Sequence, residues 1–478
     1  MKKQAACPGC GAPVTFNVSS SKVVICESCG AIVARTDLKI EEIGKIAAIA
    51  DSTSPLKIGL EGKFNGKSFT LTGRVQYRHQ AGGVWDEWYA ALSNGKWGWL
   101  AEAQGRFYMT FEQKAPKLLP EFERLQLGEA ITASLTVGEK GIATAIAAEG
   151  EIPYAFKAGE AYKYADLSSP DGAVANIDYS ASPFPLFYFG RVVTLDELGI
   201  DSIKHGPGRA PSGVSSQKVS CPNCGGALEL AAPDQAQRVV CQYCKAMLDV
   251  NQGNLKYMET LKPLREPYIP IGSLGEWQGE VMTNIGFMVR STVVEGETYY
   301  WEEYLLYNPQ VGYRWLVLDE DAWKFVTPVE PGQVKDSGNS ASYKGSSYSQ
   351  TQHSTGRVEY VLGEFYWKVS VGETVVMQDF EGRLTKESSQ YSGNSGGEVN
   401  WSSAKEVTHK EVCQKFGLPY TPGADGCPTW LVVLAIVVMV IVLLIWISSC
   451  DSTPSGGGSG GRSSIWFGGG GGGFGGGK

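Results

Sequence analysis

Runs in which apolar and polar residues alternate recur along most of the chain, and where they are rich in aromatic and β-branched residues they predict half-buried β-strands. Residues 69–77 (Phe-Thr-Leu-Thr-Gly-Arg-Val-Gln-Tyr), 96–100, 280–285 and 313–318 are of this kind. Together they predict a mainly β protein built from antiparallel sheets or barrel-like domains. One stretch breaks the pattern: 41–50 repeats apolar residues every three or four positions, which predicts a short helix. Another, 430–447, is eighteen consecutive apolar residues, long enough as a helix for about 27 Å and for one bilayer. Trp430 and Trp446 sit where the two interfaces fall. The Ser-, Gly- and Asn-rich segments 335–354 and 388–397 predict exposed loops, 201–217 a linker, and 448–478 a flexible Gly-rich tail.

The pattern repeats. Cys7-Pro-Gly-Cys10 returns as Cys221-Pro-Asn-Cys224, Ile58-Gly59 as Ile271-Gly272, and Gly66 as Gly279. Trp85-Asp-Glu-Trp88 returns as Trp301-Glu-Glu-Tyr304, Trp99-Leu100 as Trp315-Leu316, Gly150-Glu151 as Gly363-Glu364, and Gly159-Glu160 as Gly372-Glu373. Tyr188 falls on Trp401. Sparse identities at one steady displacement point to a duplicated unit of about 210 residues. The expected order is a zinc ribbon at 1–37, a β-rich domain at 38–200, the linker 201–217, a second ribbon at 218–250 and a second β-rich domain at 251–428. A transmembrane helix at 429–447 and the disordered tail 448–478 complete it.

Eight of the eleven cysteines form four C-x-x-C pairs: Cys7, Cys10, Cys26 and Cys29, then Cys221, Cys224, Cys241 and Cys244. A two-residue gap lets both thiolates of a tight turn face one ion, and two such turns enclose it in four sulfurs, so the spacing predicts two structural Zn2+ sites with no position open to substrate. Gly11, Gly30 and Gly225 follow the second cysteine of three turns, where a left-handed backbone is needed, and Lys245 fills the fourth place. A redox dithiol would be one isolated pair beside a helix, not matched twos.

Composition narrows the function. A net charge of −8 and a pI near 5.3 speak against a phosphate-binding surface, so nucleic acid is an unlikely partner and a ribbon-borne nucleic-acid role ranks last. Four histidines in unrelated contexts offer little for acid–base catalysis. The paired carboxylates of Trp301, Glu302, Glu303 and Tyr304, like those of 85–89, could cage a cation or act as an acid–base pair. The plainer reading is ordinary sheet-surface chemistry, with the two carboxylates on opposite faces. No secretory signal follows Lys2 and Lys3, and reduced thiolates favour a cytoplasmic body, leaving a single-pass protein of the cell membrane with only its C-terminal tail across. Flanking charges (Lys410 and Lys415 against Arg462) only lean the same way.

With these residues in view, the chain resembles a bacterial family, domain of unknown function 4178, in two tandem copies each behind a ribbon. Trp301-Glu-Glu-Tyr-Leu-Leu306, Gly363-Glu-Phe-Tyr-Trp-Lys368, Gly372-Glu373, Asp379-Phe-Glu and Glu398-Val-Asn-Trp-Ser402 carry the likeness. The first copy is degenerate, with Gly150-Glu-Ile-Pro-Tyr154 for the middle motif and Tyr188-Phe189 for Trp-Ser. The resemblance implies a membrane-associated setting near polyamine-type enzymes and supplies no catalytic residue. The expectation is therefore a membrane-anchored, zinc-stabilised binding or scaffold protein with a protein partner, not an enzyme. The alternative is a sensor or enzyme for a cationic small molecule, such as a polyamine, at the 301–304 strand.

Overall fold

The computed structural model describes residues 3–18, 21–35, 40–46, 54–115, 119–132, 134–154, 158–181, 183–200, 217–251, 254–391 and 396–420. Among these residues the protein is mainly β, with one α-helix. The segments 201–216 and 421–478, which hold most of the expected linker, the expected transmembrane helix and the tail, lie outside them. Among the described residues no helix is long and apolar enough to cross a membrane.

Two eight-stranded antiparallel barrels of the same topology make up the core. The first is built from β1 (Lys67–His79), β2 (Val84–Leu92), β3 (Trp97–Ala103), β4 (Arg106–Gln113), β5 (Thr136–Ile152), β6 (Ala161–Ser168), β7 (Ala173–Asp178) and β8 (Leu186–Val193). The second is built from β9 (Glu280–Val294), β10 (Glu297–Asn308), β11 (Gly312–Asp319), β12 (Ala322–Val329), β13 (Ser346–Phe365), β14 (Thr374–Phe380), β15 (Leu384–Gln390) and β16 (Gly397–Val407). Four strands run as consecutive hairpins, the chain crosses to β8, and pairing returns through β7, β6 and β5 to β1. The second barrel closes identically, β12 on β16 and β13 on β9. Closure leaves no free sheet edge within either barrel.

Both faces of the first barrel's wall are covered, which is why strands such as β2 are buried almost throughout. Val75, Tyr77, Trp85, Tyr89, Trp99, Tyr164 and Tyr188 fill the interior. Outside, Leu56, Leu195 and Leu198 cover Phe69, Trp88, Leu100 and Met109, while Leu125 and Leu135 cover Val137, Leu167 and Ile177. Each large apolar side chain so buried is worth roughly 1.5–3 kcal/mol. A short ladder between the barrels, Glu139 opposite Glu398 and Lys140 opposite Gly397, joins β5 to β16.

Each barrel carries a cysteine module on the end of its fifth strand. A hairpin (Lys3–Ala6 with Pro13–Phe16) leads into three strands, Val23–Ile25, Ala31–Arg35 and Ile40–Lys45, the first of which pairs with β5. The second module repeats this with Gln217–Ser220, Ala227–Leu230, Arg238–Val240, Ala246–Asn251 and Asn254–Thr260, and Arg238–Val240 pairs with β13.

Three expectations need correction. The helix expected over 41–50 is the strand Ile40–Lys45 as far as it is described. A bulge there makes the register pass from Gly44 straight to Glu42, and one extra residue in a strand turns alternate spacing into a spacing of three. Residues 335–354 are not a loop: they form strands Lys335–Asp336 and Ser340–Tyr343 and the first half of β13. Their polarity reflects a sheet largely open to water, with Ala341, Tyr343 and Tyr348 in an apolar cluster beside Val334 and Phe380, and with an antiparallel ladder that bulges between Gln350 and Gln352. Residues 388–390 likewise continue β15, and 392–395 lie outside the described residues. The helix that is present, α1 (His409–Phe416), starts at Thr408, whose side chain accepts from the Glu411 amide, and ends at the left-handed Gly417. It lays Phe416 against Trp277.

Candidate functional site

The turns place the cysteines as their spacing requires. Gly11, Gly30, Gly225 and also Lys245 are left-handed, with φ of 79°, 69°, 72° and 59°. Cys7 and Cys29 approach to 3.8 Å and Cys10 and Cys26 to 3.7 Å; in the second module both corresponding pairs stand at 3.8 Å. Each set of four sulfurs lies within 4.8 Å, so each could hold one metal ion. The Lys245 ammonium donates to the Gln242 carbonyl and pairs with Glu266.

Behind each cluster stands one buried glutamate. Glu151 takes the amide of Asn17 and its side-chain N–H, both at 2.7 Å, and the Val18 amide at 3.0 Å. Glu364 takes the amides of Ala231 and Ala232 at 2.7 and 2.8 Å. These are the repeat's Gly-Glu pairs. The glutamate ties the loop between hairpin and sheet to the barrel, and the glycine before it has φ of 70° or 90°, where a Cβ would strike the Thr72 or Ile285 carbonyl. Burial pushes Glu364 up to about 7 against the pull of the two amides.

Residues 301–304 split between two places, as alternation demands, but both carboxylates are buried rather than on a sheet surface. On the outer face, Glu302 accepts from Arg265 at 2.7 Å and the Tyr304 hydroxyl at 2.5 Å. It borders a shallow cavity of about 320 Å³ with Glu266, Tyr268, Glu320, Trp323 and His409. Glu303 points into the barrel, where it accepts from Trp301 Nε1 at 2.7 Å and Arg290 Nη1 at 3.3 Å. The same Arg290 nitrogen reaches across the barrel to Glu387 on β15 at 2.7 Å. Burial raises Glu303, and it pushes Glu387 up to about 7, with Arg290 opposing and Glu303 adding.

This interior triad opens on a cavity of about 450 Å³ at the barrel mouth, lined by Arg290, Trp367, Glu373, Glu387, Tyr391 and Glu398. Gln80 and Ala81, from the β1–β2 turn of the first barrel, form part of its rim. The first barrel keeps the Trp–Glu pair, Trp85 Nε1 to Glu87 at 3.4 Å. Tyr77 takes the place of Arg290, opposite the tryptophan, and shares a hydrogen bond with Tyr154. The copies thus differ where the second has its ion triad.

Sequence reasoning missed Arg290 and Glu387. Arg290 carried a signal, since it is one charge in the otherwise uncharged stretch 281–294. Glu387, among serines and a lysine, carried none. Between the barrels, the His79 ring lies tilted against Tyr391, centroids 4.5 Å apart, and stands 3.4 Å from Glu139, which accepts from the Tyr164 and Tyr391 hydroxyls. Burial lowers His79 to about 3, and raises Glu139 well above the usual carboxylate range with Glu398 and Asp166 adding.

The sequence model of a family described as domain of unknown function (DUF4178) matches residues 57–194 and 270–409, one barrel each. No curated protein and no solved structure matches the chain.

Proposed function

Because the chain belongs to the DUF4178 family, whose domain it carries twice, we propose that it is a membrane-anchored, zinc-stapled binding protein with a protein partner, and not an enzyme. Residues 430–447 are the anchor, and the folded body stands on the cytoplasmic side. The observation that carries this reading is an exposed apolar stretch leaving the second cysteine module: Tyr257, Met258, Leu264 and Tyr268 are 45, 46, 55 and 40 % exposed. The Tyr268 hydroxyl reaches His409 on α1 and the Pro419 carbonyl, at the point where the chain leaves for the anchor. Exposed apolar groups gathered in this way mark docking surfaces.

Zinc is the metal the clusters suit. A tetrahedron with Zn–S bonds of about 2.3 Å has edges of about 3.8 Å, the spacing of the paired sulfurs. Four thiolates close the coordination, so the ion supports the fold and has no place for substrate. The cysteine and histidine that approach most closely elsewhere support the non-catalytic reading too. Cys413 lies 3.5 Å from His409 Nε2, but Trp323 Nε1 donates to His409 Nδ1, which leaves the ring proton on Nε2 and no lone pair there to take the thiol's proton.

The test is a photo-crosslinking residue at Leu264 in the full-length chain within its native membrane. We expect a discrete adduct, lost when residues 430–478 are removed and when Tyr257 and Met258 are made aspartate. The absence of any adduct from the intact chain contradicts the reading.

A further inference from the structure

Inside the second barrel, carboxylates outnumber the guanidinium that serves them. Arg290 Nη1 donates to Oε1 of both Glu303 and Glu387. In each of the two glutamates Oε2 is buried and meets no hydrogen-bond partner among the described residues. Glu387 is 2 % exposed and lines the mouth cavity; Oε2 itself is covered, so a group entering the cavity reaches it when the carboxylate turns about its last bond. Leaving a buried acceptor unmade is costly, and a donor from outside would relieve it.

The rest of the cavity has the same sign. Glu373 and Glu398 also line it, and Trp367 and Tyr391 add aromatic wall, against which a cation and its alkyl stem are both favoured. At about 450 Å³ the space has the size of a small-molecule pocket. A bare divalent ion would need six or more oxygens drawn in to about 2.6 Å, which an aromatic-walled cavity of this size does not offer.

We infer that the mouth of the second barrel binds an organic cation, its ammonium group meeting Glu387 Oε2 and its alkyl part lying on Trp367. The site is distinct from the outer face of residues 301–304, where both Glu302 oxygens are taken by Arg265 and Tyr304. It is also distinct from the apolar stretch proposed for a protein partner. The first barrel has Tyr77 where the second has Arg290.

Isothermal titration calorimetry of the full-length, zinc-loaded protein in detergent tests this with two probes of one shape, butylammonium and butan-1-ol. Butylammonium gives a saturating heat and butan-1-ol none. Glu387→Gln, nearly isosteric and still able to accept from Arg290, weakens butylammonium at least tenfold, whereas Glu302→Gln leaves it within twofold. Ser389→Trp, which fills the mouth two residues along β15 from Glu387, abolishes it, so the outcome does not depend on one variant folding. No butylammonium binding, equal binding of the alcohol, or unchanged affinity in both Glu387→Gln and Ser389→Trp overturns the inference.

Discussion

Glu364 and Glu387 are both buried acids held at about 7, and their neighbours give them different work. Glu364 faces two backbone amides and acts as a clamp; Glu387 faces one guanidinium and a second carboxylate. For each, the folded pKa lies above the unfolded value near 4.5, so the folded state binds the proton more tightly. The stability this contributes is whole below about pH 4.5 and is lost as pH rises through 7, by up to about 3 kcal/mol per group. Glu387→Gln removes that dependence. Urea unfolding should show the variant more stable than the wild type at pH 8, by about 1–3 kcal/mol, with the gap closing by pH 5; a constant gap would show that Glu387 does not titrate on folding. At this scale the sequence was half legible. Charges among aromatics singled out Glu302 and Glu303, but Glu387 meets Arg290 only because the barrel closes, and closure leaves no local mark.

At the scale of elements, many of the identities that survive between the copies are glycines that the backbone demands. Gly59, Gly66, Gly150 and Gly159 all have positive φ, as do Gly272, Gly279, Gly363 and Gly372. This is why a duplication could be read from so few matches. Gly150 and Gly363 carry a double demand, because positive φ is joined to a carbonyl, of Thr72 or Ile285, that a Cβ would meet at 2.3 Å. Gly363→Ala should cost at least about 2 kcal/mol, whereas Gly338→Ala, at φ of 81° but in open space, should cost only about 1 kcal/mol, as read by thermal unfolding. Equal costs would mean that the carbonyl contact plays no part. The elements misread from sequence failed for physical reasons too. A bulge gave the strand Ile40–Lys45 a helical spacing, and a sheet largely open to water gave 335–354 the composition of a loop.

For the whole molecule, the mainly β character, the duplication and both cysteine clusters were legible, because each rests on a period or a spacing. The pairing of the two barrels through β5 and β16, and the covering of the first barrel's outer wall by Leu56, Leu195, Leu198, Leu125 and Leu135, were not, since they depend on contacts far apart in the chain. What emerges is one unit used twice, its cysteine module bound to its barrel by a strand ladder and a glutamate clamp. The central claim is that each module is stapled by its own closed zinc site. Native mass spectrometry of the intact chain tests it most directly. The account predicts two zinc ions per chain, falling to one in Cys26→Ser and to one in Cys241→Ser; a chain that folds with no bound zinc, or that loses both ions to either substitution, would contradict it.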